Sequence, residues 1–134
     1  MRDRAAPAGL RRILLIEDED NIREAIRFLL TRDGWDVTVH ADGATAAERI
    51  AALRPDVVVL DVMLPNRSGF DVLRDLSAQA GAPPVLMLTA RGRGADRDLA
   101  LLLGAAAFMS KPFSNAALIE QVRALGPSDA GTGA

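Results

Sequence analysis

Three carboxylates stand directly after two short apolar runs: Glu17 and Asp18 after Ile13–Ile16, and Asp61 after Val57–Leu60. A set of hard oxygen donors suits a cation that keeps several waters, which favours Mg²⁺ over zinc. Like charges held that close are costly unless a cation is bound. Any one of these acids is as well explained by a solvated loop; three at two strand ends favour a metal site. Two more apolar runs end in matching chemistry. Thr89 closes Val85–Thr89, and Lys111 follows Ala107–Met109. Lys111 is the only lysine among sixteen Lys and Arg residues. A compact ammonium can approach a phosphoryl oxygen where a broad guanidinium would overreach. Taken singly, Thr89 reads as a satisfied hydroxyl and Lys111 as a surface charge. Together they suggest a site for a phosphoryl group.

These residues need a scaffold that gathers strand ends, and the periodicity supplies one. Short apolar runs alternate five times with helical segments, as in a doubly wound α/β domain. The expected strands are Arg12–Ile16, Trp35–His40, Val57–Leu60, Val85–Thr89 and Ala107–Met109. Three are nearly all apolar, as strands covered on both faces of a parallel sheet must be. Helices are expected over Asn21–Asp33, Ala44–Leu53, Ser68–Ala80, Ala95–Leu103 and Asn115–Leu125, with Ser68 as an N-cap and Gly104 as a stop. In the flavodoxin-like strand order 2-1-3-4-5, strands one and three flank the topological switch point, where a crevice opens at their carboxyl ends. Glu17, Asp18 and Asp61 would then converge.

The bulk properties narrow the alternatives. The 134 residues, 49% hydrophobic and 25% charged, suit one globular domain. Residues 11–125 are expected to form it, with disordered tails over 1–10 and 126–134 that are rich in Ala, Gly, Pro and Ser. The apolar runs fall far short of the roughly 20 residues that span a bilayer, so a cytoplasmic protein with no membrane partner is expected. There is no cysteine, which removes disulfides and thiolate chemistry. A net charge of −2 argues against a basic nucleic-acid footprint.

Several lesser features carry less weight. Gly92-Arg93-Gly94 lacks the third glycine of a dinucleotide loop, since Arg97 stands there, and no phosphate-loop motif occurs. His40 has no second His or Cys with which to share a metal and is expected to be exposed and without a role. Trp35 and Phe28 are expected in core or edge packing. A haloacid-dehalogenase-like phosphotransferase needs a second Asp two residues after the first, where this chain has Met63.

The blocks ILLIEDED (13–20), VVVLDVMLP (57–65), VLMLTA (85–90) and FMSKPF (108–113) resemble, in order and spacing, those of two-component receiver domains such as single-domain chemotaxis regulators. The resemblance covers residues 11–125. It implies a flavodoxin-like (βα)5 fold and a phosphorylation switch in a two-component system or phosphorelay. Asp61 would accept a phosphoryl group from a sensor histidine kinase or a histidine phosphotransfer protein. Asp18 and Asp61 would bind Mg²⁺ directly, Glu17 through water, and the Met63 backbone carbonyl would complete the protein ligands. Thr89 would hydrogen-bond the phosphoryl group, Lys111 would pair with it, and Phe108 would be the switch aromatic. A cis bond between Lys111 and Pro112 is also implied.

Glu17 departs from the aspartate more usual in this family, and Met63 and Arg91 stand where relatives border the entrance for attacking water. Ala106 and Ala107 replace an acidic pair that many DNA-binding relatives use to dimerise, so a monomer is expected. Its output would be a protein target docked on the surface of the fourth helix, fifth strand and fifth helix, with no direct nucleic-acid contact. The chain would be no enzyme beyond catalysing its own phosphorylation and dephosphorylation. Two alternatives remain open: the N-terminal receiver of a longer regulator, and a degenerate receiver that binds partners without phosphorylation.

Overall fold

The computed structural model describes residues 11–89 and 94–127. Five strands and five helices alternate along the chain: β1 (Arg11–Ile16), α1 (Asp20–Arg32), β2 (Trp35–His40), α2 (Ala46–Leu53), β3 (Val57–Asp61), α3 (Gly69–Ser77), β4 (Val85–Thr89), α4 (Gly94–Leu102), β5 (Ala107–Ser110) and α5 (Asn115–Leu125). The strands form one parallel sheet in the order β2-β1-β3-β4-β5, the expected flavodoxin-like arrangement.

Period-2 alternation sorts the apolar strand residues onto two faces. Ile13, Leu15, Val57, Val59, Leu86 and Leu88 pack with Ile26 and Leu30 of α1 and Leu118 and Val122 of α5. Their neighbours Leu14, Ile16, Val58, Leu60, Val85 and Met87 pack with Ile50 of α2, Val72, Leu73 and Leu76 of α3 and Ala100 of α4. Every residue of β3 and β4 is buried, which is why those segments are continuous apolar runs.

Side-chain caps set three of the helix starts. Glu19, Ser68 and Ser114 accept hydrogen bonds from the Ile22, Asp71 and Ala117 amides at 3.2, 3.2 and 3.0 Å. Each such cap stabilises its helix by about 1 kcal/mol. Gly104 takes a positive φ of 109° just after α4, as a helix stop requires.

The element ends differ from expectation by a few residues. α2 begins at Ala46, since Asp42 accepts a hydrogen bond from the Ala44 amide (2.8 Å) and holds residues 42–44 in a turn. α3 stops at Ser77, ahead of Gly81, whose φ is 75°. β3 runs one residue further because Asp61 still pairs with Leu88, and β5 runs to Ser110 because it pairs with Thr89.

Two side-chain expectations are corrected. His40 is half-buried, with Nε2 2.8 Å from Thr45 Oγ1, and its carbonyl accepts from the Glu17 amide at 3.0 Å. Phe28 is 59% exposed, on the flank of α1 that borders a cleft with Asn115 and Ile119 of α5, with the Arg32 guanidinium 5.6 Å from its ring. Trp35 is buried, as expected. Residues 1–10 and 128–134, Arg91 and the Gly92-Arg93 pair lie outside the described residues.

Candidate functional site

The carboxyl ends of β1 and β3 lie side by side, with Ile16 opposite Leu60. Asp61 is therefore the next residue along β3, and Glu17 and Asp18 follow directly on β1. One carboxylate oxygen from each of Glu17, Asp18 and Asp61 falls within 4.8 Å of the others. Their burial differs. Glu17 is 1% and Asp61 4% exposed, whereas Asp18 is open to solvent. Two buried acids and one exposed acid leave a cation one side from which to enter with its waters.

Lys111 supplies the opposing charge from the end of β5. Its Nζ donates to Glu17 Oε1 at 2.8 Å and to Asp61 Oδ1 at 3.3 Å. The other Glu17 oxygen, Oε2, accepts from the Glu19 amide at 3.2 Å. The backbone at this point is fixed from both sides. The Lys111 amide donates to the Thr89 carbonyl at 2.7 Å, and the Lys111–Pro112 peptide is cis, as the resemblance implied.

Burial, and next the Glu17 charge, push the Asp61 carboxyl up to about 6, with Lys111 opposing both. Burial works against the Lys111 charge, but its hydrogen bond to Glu17 and the charges of Asp61 and Glu17 outweigh this and raise its pKa. The pair is thus poised. A carboxylate reluctant to ionise unaided gains most from a cation beside it.

Thr89 is wholly buried at the end of β4. Phe108 is half-buried on β5, opposite Met87, and packs against the cluster that contains Met87, Val85 and Ala100. Strand alternation puts Thr89 on the same face as Met87, so Thr89 and Phe108 share the side of the sheet that α4 covers. Met63 lies two residues past Asp61, with its side chain 60% exposed.

Glu17, Asp18, Asp61 and Lys111 are thus brought together, with Thr89 on the adjoining strand end. Sequence reasoning missed two supporting residues. A Cβ on Gly69 would run into the Asp61 carbonyl oxygen, and its amide donates to the Val62 carbonyl at 2.8 Å, so only glycine lets α3 start this close to β3. The Ser68-Gly69 pair carries a turn signal in the sequence beside the Ser68 cap. Arg23 of α1 reaches back to the Glu17 carbonyl at 3.1 Å and the Asp18 carbonyl at 3.4 Å; no spacing rule marks it.

The profile of the response regulator receiver domain family matches residues 13–123. The chain belongs to this family. The receiver resembles the probable transcriptional regulatory protein TcrX of Mycobacterium tuberculosis, with 41% identity over 113 residues, 84% of this chain and 48% of that protein. The alkaline phosphatase synthesis transcriptional regulatory protein PhoP of Bacillus subtilis is 39% identical over 115 residues, 86% of this chain and 48% of that protein. Among solved structures, the BeF3-activated N-terminal receiver domain of Klebsiella pneumoniae RstA superposes with a TM-score of 0.81 at 32% identity, covering 85% of this chain and 97% of that one.

The chain spans about half the length of the curated relatives it matches. Those relatives are named as transcriptional regulators, which runs partly against the expectation of no nucleic-acid partner; the described residues here form the receiver alone. As a receiver of two-component response regulators, the domain serves phosphorylation-dependent signalling, and the cluster of Glu17, Asp18 and Asp61 fits a Mg²⁺ site. Among the described residues, no helix is long and apolar enough to cross a membrane.

Proposed function

We propose that this receiver takes a phosphoryl group on Asp61 from a sensor histidine kinase or a histidine phosphotransfer protein and thereby regulates a protein partner in the cytoplasm. The observation that carries this reading is the buried Asp61 carboxylate with Lys111 Nζ 3.3 Å away and the Glu17 and Asp18 oxygens within 4.8 Å. Asp18, Asp61 and the Met63 backbone carbonyl are the residues that would hold Mg²⁺ directly, with Glu17 acting through water. Bound there, the ion would offset charge on the phosphoryl oxygens.

Asp61 attacks the phosphorus in line, the phosphorus–nitrogen bond of the donor histidine breaks, and the electron pair leaves with the imidazole. The protein contributes position and charge. The Lys111 ammonium pairs with a phosphoryl oxygen and the Thr89 hydroxyl donates to another. Thr89 moves inward as it does so, and Phe108 takes up the vacated space, which biases the surface of α4, β5 and α5 between two states. Water later hydrolyses the acyl phosphate, and Met63 and Arg91 tune its access. These two reactions on itself are the domain's only catalysis, and it acts as a monomer.

A second reading is favoured by the half-length overlap with TcrX and PhoP: the domain is the N-terminal receiver of a longer transcriptional regulator. The full length of the gene discriminates the two. The site itself is tested by incubating wild type and Asp61→Asn with Mg²⁺ and acetyl phosphate and measuring intact mass. Wild type should gain one phosphoryl group and the variant none. Undiminished incorporation by Asp61→Asn would overturn the assignment.

A further inference from the structure

The last residue of β2 and the loop after it, residues 40–45, supply none of the carboxylates of the acidic cluster, yet they bond to Glu17 on one side and to Pro65 and Asn66, a few residues past Asp61, on the other. On one side, the carbonyl of His40, the last residue of β2, accepts from the amide of Glu17 at 3.0 Å. On the other, the Gly43 amide donates to the Pro65 carbonyl at 3.1 Å, and Asn66 Nδ2 donates to Asp42 Oδ1 at 3.2 Å. The same Asp42 oxygen accepts from the Ala44 amide at 2.8 Å, which fixes its direction. Gly43 is buried, and a Cβ there would collide with the Arg67 carbonyl oxygen, so the two loops touch backbone to backbone. Asn66 holds a positive φ of 70°, in the left-handed region. His40 Nε2, 2.8 Å from Thr45 Oγ1, closes the loop at its other end.

We infer that the β2–α2 loop is a strut that sets the separation between the Glu17–Asp18 segment and the Asp61–Met63 segment, with Asp42 and Asn66 as positioning residues for Mg²⁺. Sheet pairing already fixes Ile16 against Leu60, but it ends there, and the ligand-bearing residues lie at or beyond that last rung. Beyond the β1–β3 pairing, the described links between the two segments are the direct Lys111 bridge and this strut, which runs from Glu17 through the His40 rung and the loop to Pro65 and Asn66. A cation with near-ideal octahedral demands penalises a change in ligand separation of a few tenths of an ångström. Partners outside the ligand set that orient it typically contribute 10–100-fold in metal affinity. The strut is one bond further removed, which places its expected effect at about tenfold.

This inference rests on the reading of Asp18 and Asp61 as Mg²⁺ ligands, so its test begins by titrating the wild-type chain with Mg²⁺ by calorimetry. Asp42→Ala should weaken binding about tenfold, while Asp42→Asn, which keeps the carbonyl oxygen, should stay near wild type. Asn66→Gly removes only the amide donor at an exposed position whose positive φ suits glycine, and should weaken binding in the same direction. The second readout is melting temperature with and without Mg²⁺. A positioning role shrinks the Mg²⁺-induced rise in Asp42→Ala, whereas a merely structural role lowers both melts equally. Wild-type affinity in both Asp42→Ala and Asn66→Gly, or an undiminished Mg²⁺-induced rise, would overturn the strut. Absence of Mg²⁺ binding by wild type itself, with Asp61→Asn indistinguishable from it, would overturn the parent reading and the strut with it.

Discussion

Lys111 donates its shorter hydrogen bond to Glu17, at 2.8 Å, and its longer one to Asp61, at 3.3 Å. The resting ammonium is therefore held chiefly by the acid that does not accept the phosphoryl group. Glu17 has one carboxylate oxygen on Lys111 and the other on the Glu19 amide, which leaves Asp61 the less engaged of the two buried acids. Glu17, directly after β1, thereby ties the end of β1 to Lys111 at the end of β5.

Removing that ammonium leaves two buried carboxylates facing each other. Lys111→Met should lose roughly 3 kcal/mol of stability at neutral pH without metal, as expected when one partner of a buried ion pair is taken away. Part of that loss should return on adding Mg²⁺. Lys111→Arg keeps the charge and most of the stability, yet should impair phosphorylation-dependent partner binding, because the fork of a guanidinium does not reproduce the ammonium geometry. Urea melts and partner titrations check the two variants.

Asp61 makes a signed prediction with pH. Its carboxyl is raised from 3.8 to about 6, so between those values the folded protein keeps a proton that the unfolded chain has released. The stability this group contributes is full below the unfolded value and is lost as pH rises through the folded one. Without metal, Asp61→Asn should be more stable than wild type above about pH 7 by on the order of 1–3 kcal/mol, with the gap closing towards pH 4. Equal or lower stability of the variant across that window, by urea melts in chelator, would contradict the raised carboxyl.

Gly69 separates packing from chemistry. Gly69→Ala places a methyl group against the Asp61 carbonyl oxygen and Val62 Cα, both backbone atoms that cannot swing away. The variant should lose about 1–3 kcal/mol, the usual cost of overpacking. Its phosphorylation rate with acetyl phosphate should fall as well, since the strain lands on the acceptor residue. A variant that folds with wild-type stability and wild-type rate would show that α3 can retreat freely.

Phe108 is predicted to carry the signal to the partner surface. With beryllofluoride as the acyl-phosphate mimic, wild type should bind its protein partner with an affinity changed by ~5 to 150-fold, the usual range of allosteric coupling. Phe108→Ala should reduce that change while leaving phosphorylation of Asp61 intact. Equal affinity in all four combinations, measured by titration, would remove Phe108 from the signalling route.

Local patterns in the sequence determined the five-fold alternation, the buried character of β3 and β4, and the placement of Glu17, Asp18, Asp61, Thr89 and Lys111 at strand ends. Each depends on residue type over a few neighbours, where strand and helix periods leave a direct trace. Tertiary structure alone decided what those residues touch. The Lys111–Glu17 bond joins residues 94 apart in sequence, and the Lys111–Asp61 bond residues 50 apart. Nothing periodic encodes such pairs; they arise because the sheet order sets β5, β3 and β1 at fixed separations. The same holds for the backbone role of His40, whose carbonyl meets the Glu17 amide only when β2 is laid beside β1. It holds also for Gly69 and Gly43, whose missing side chains matter because another backbone passes where a Cβ would stand.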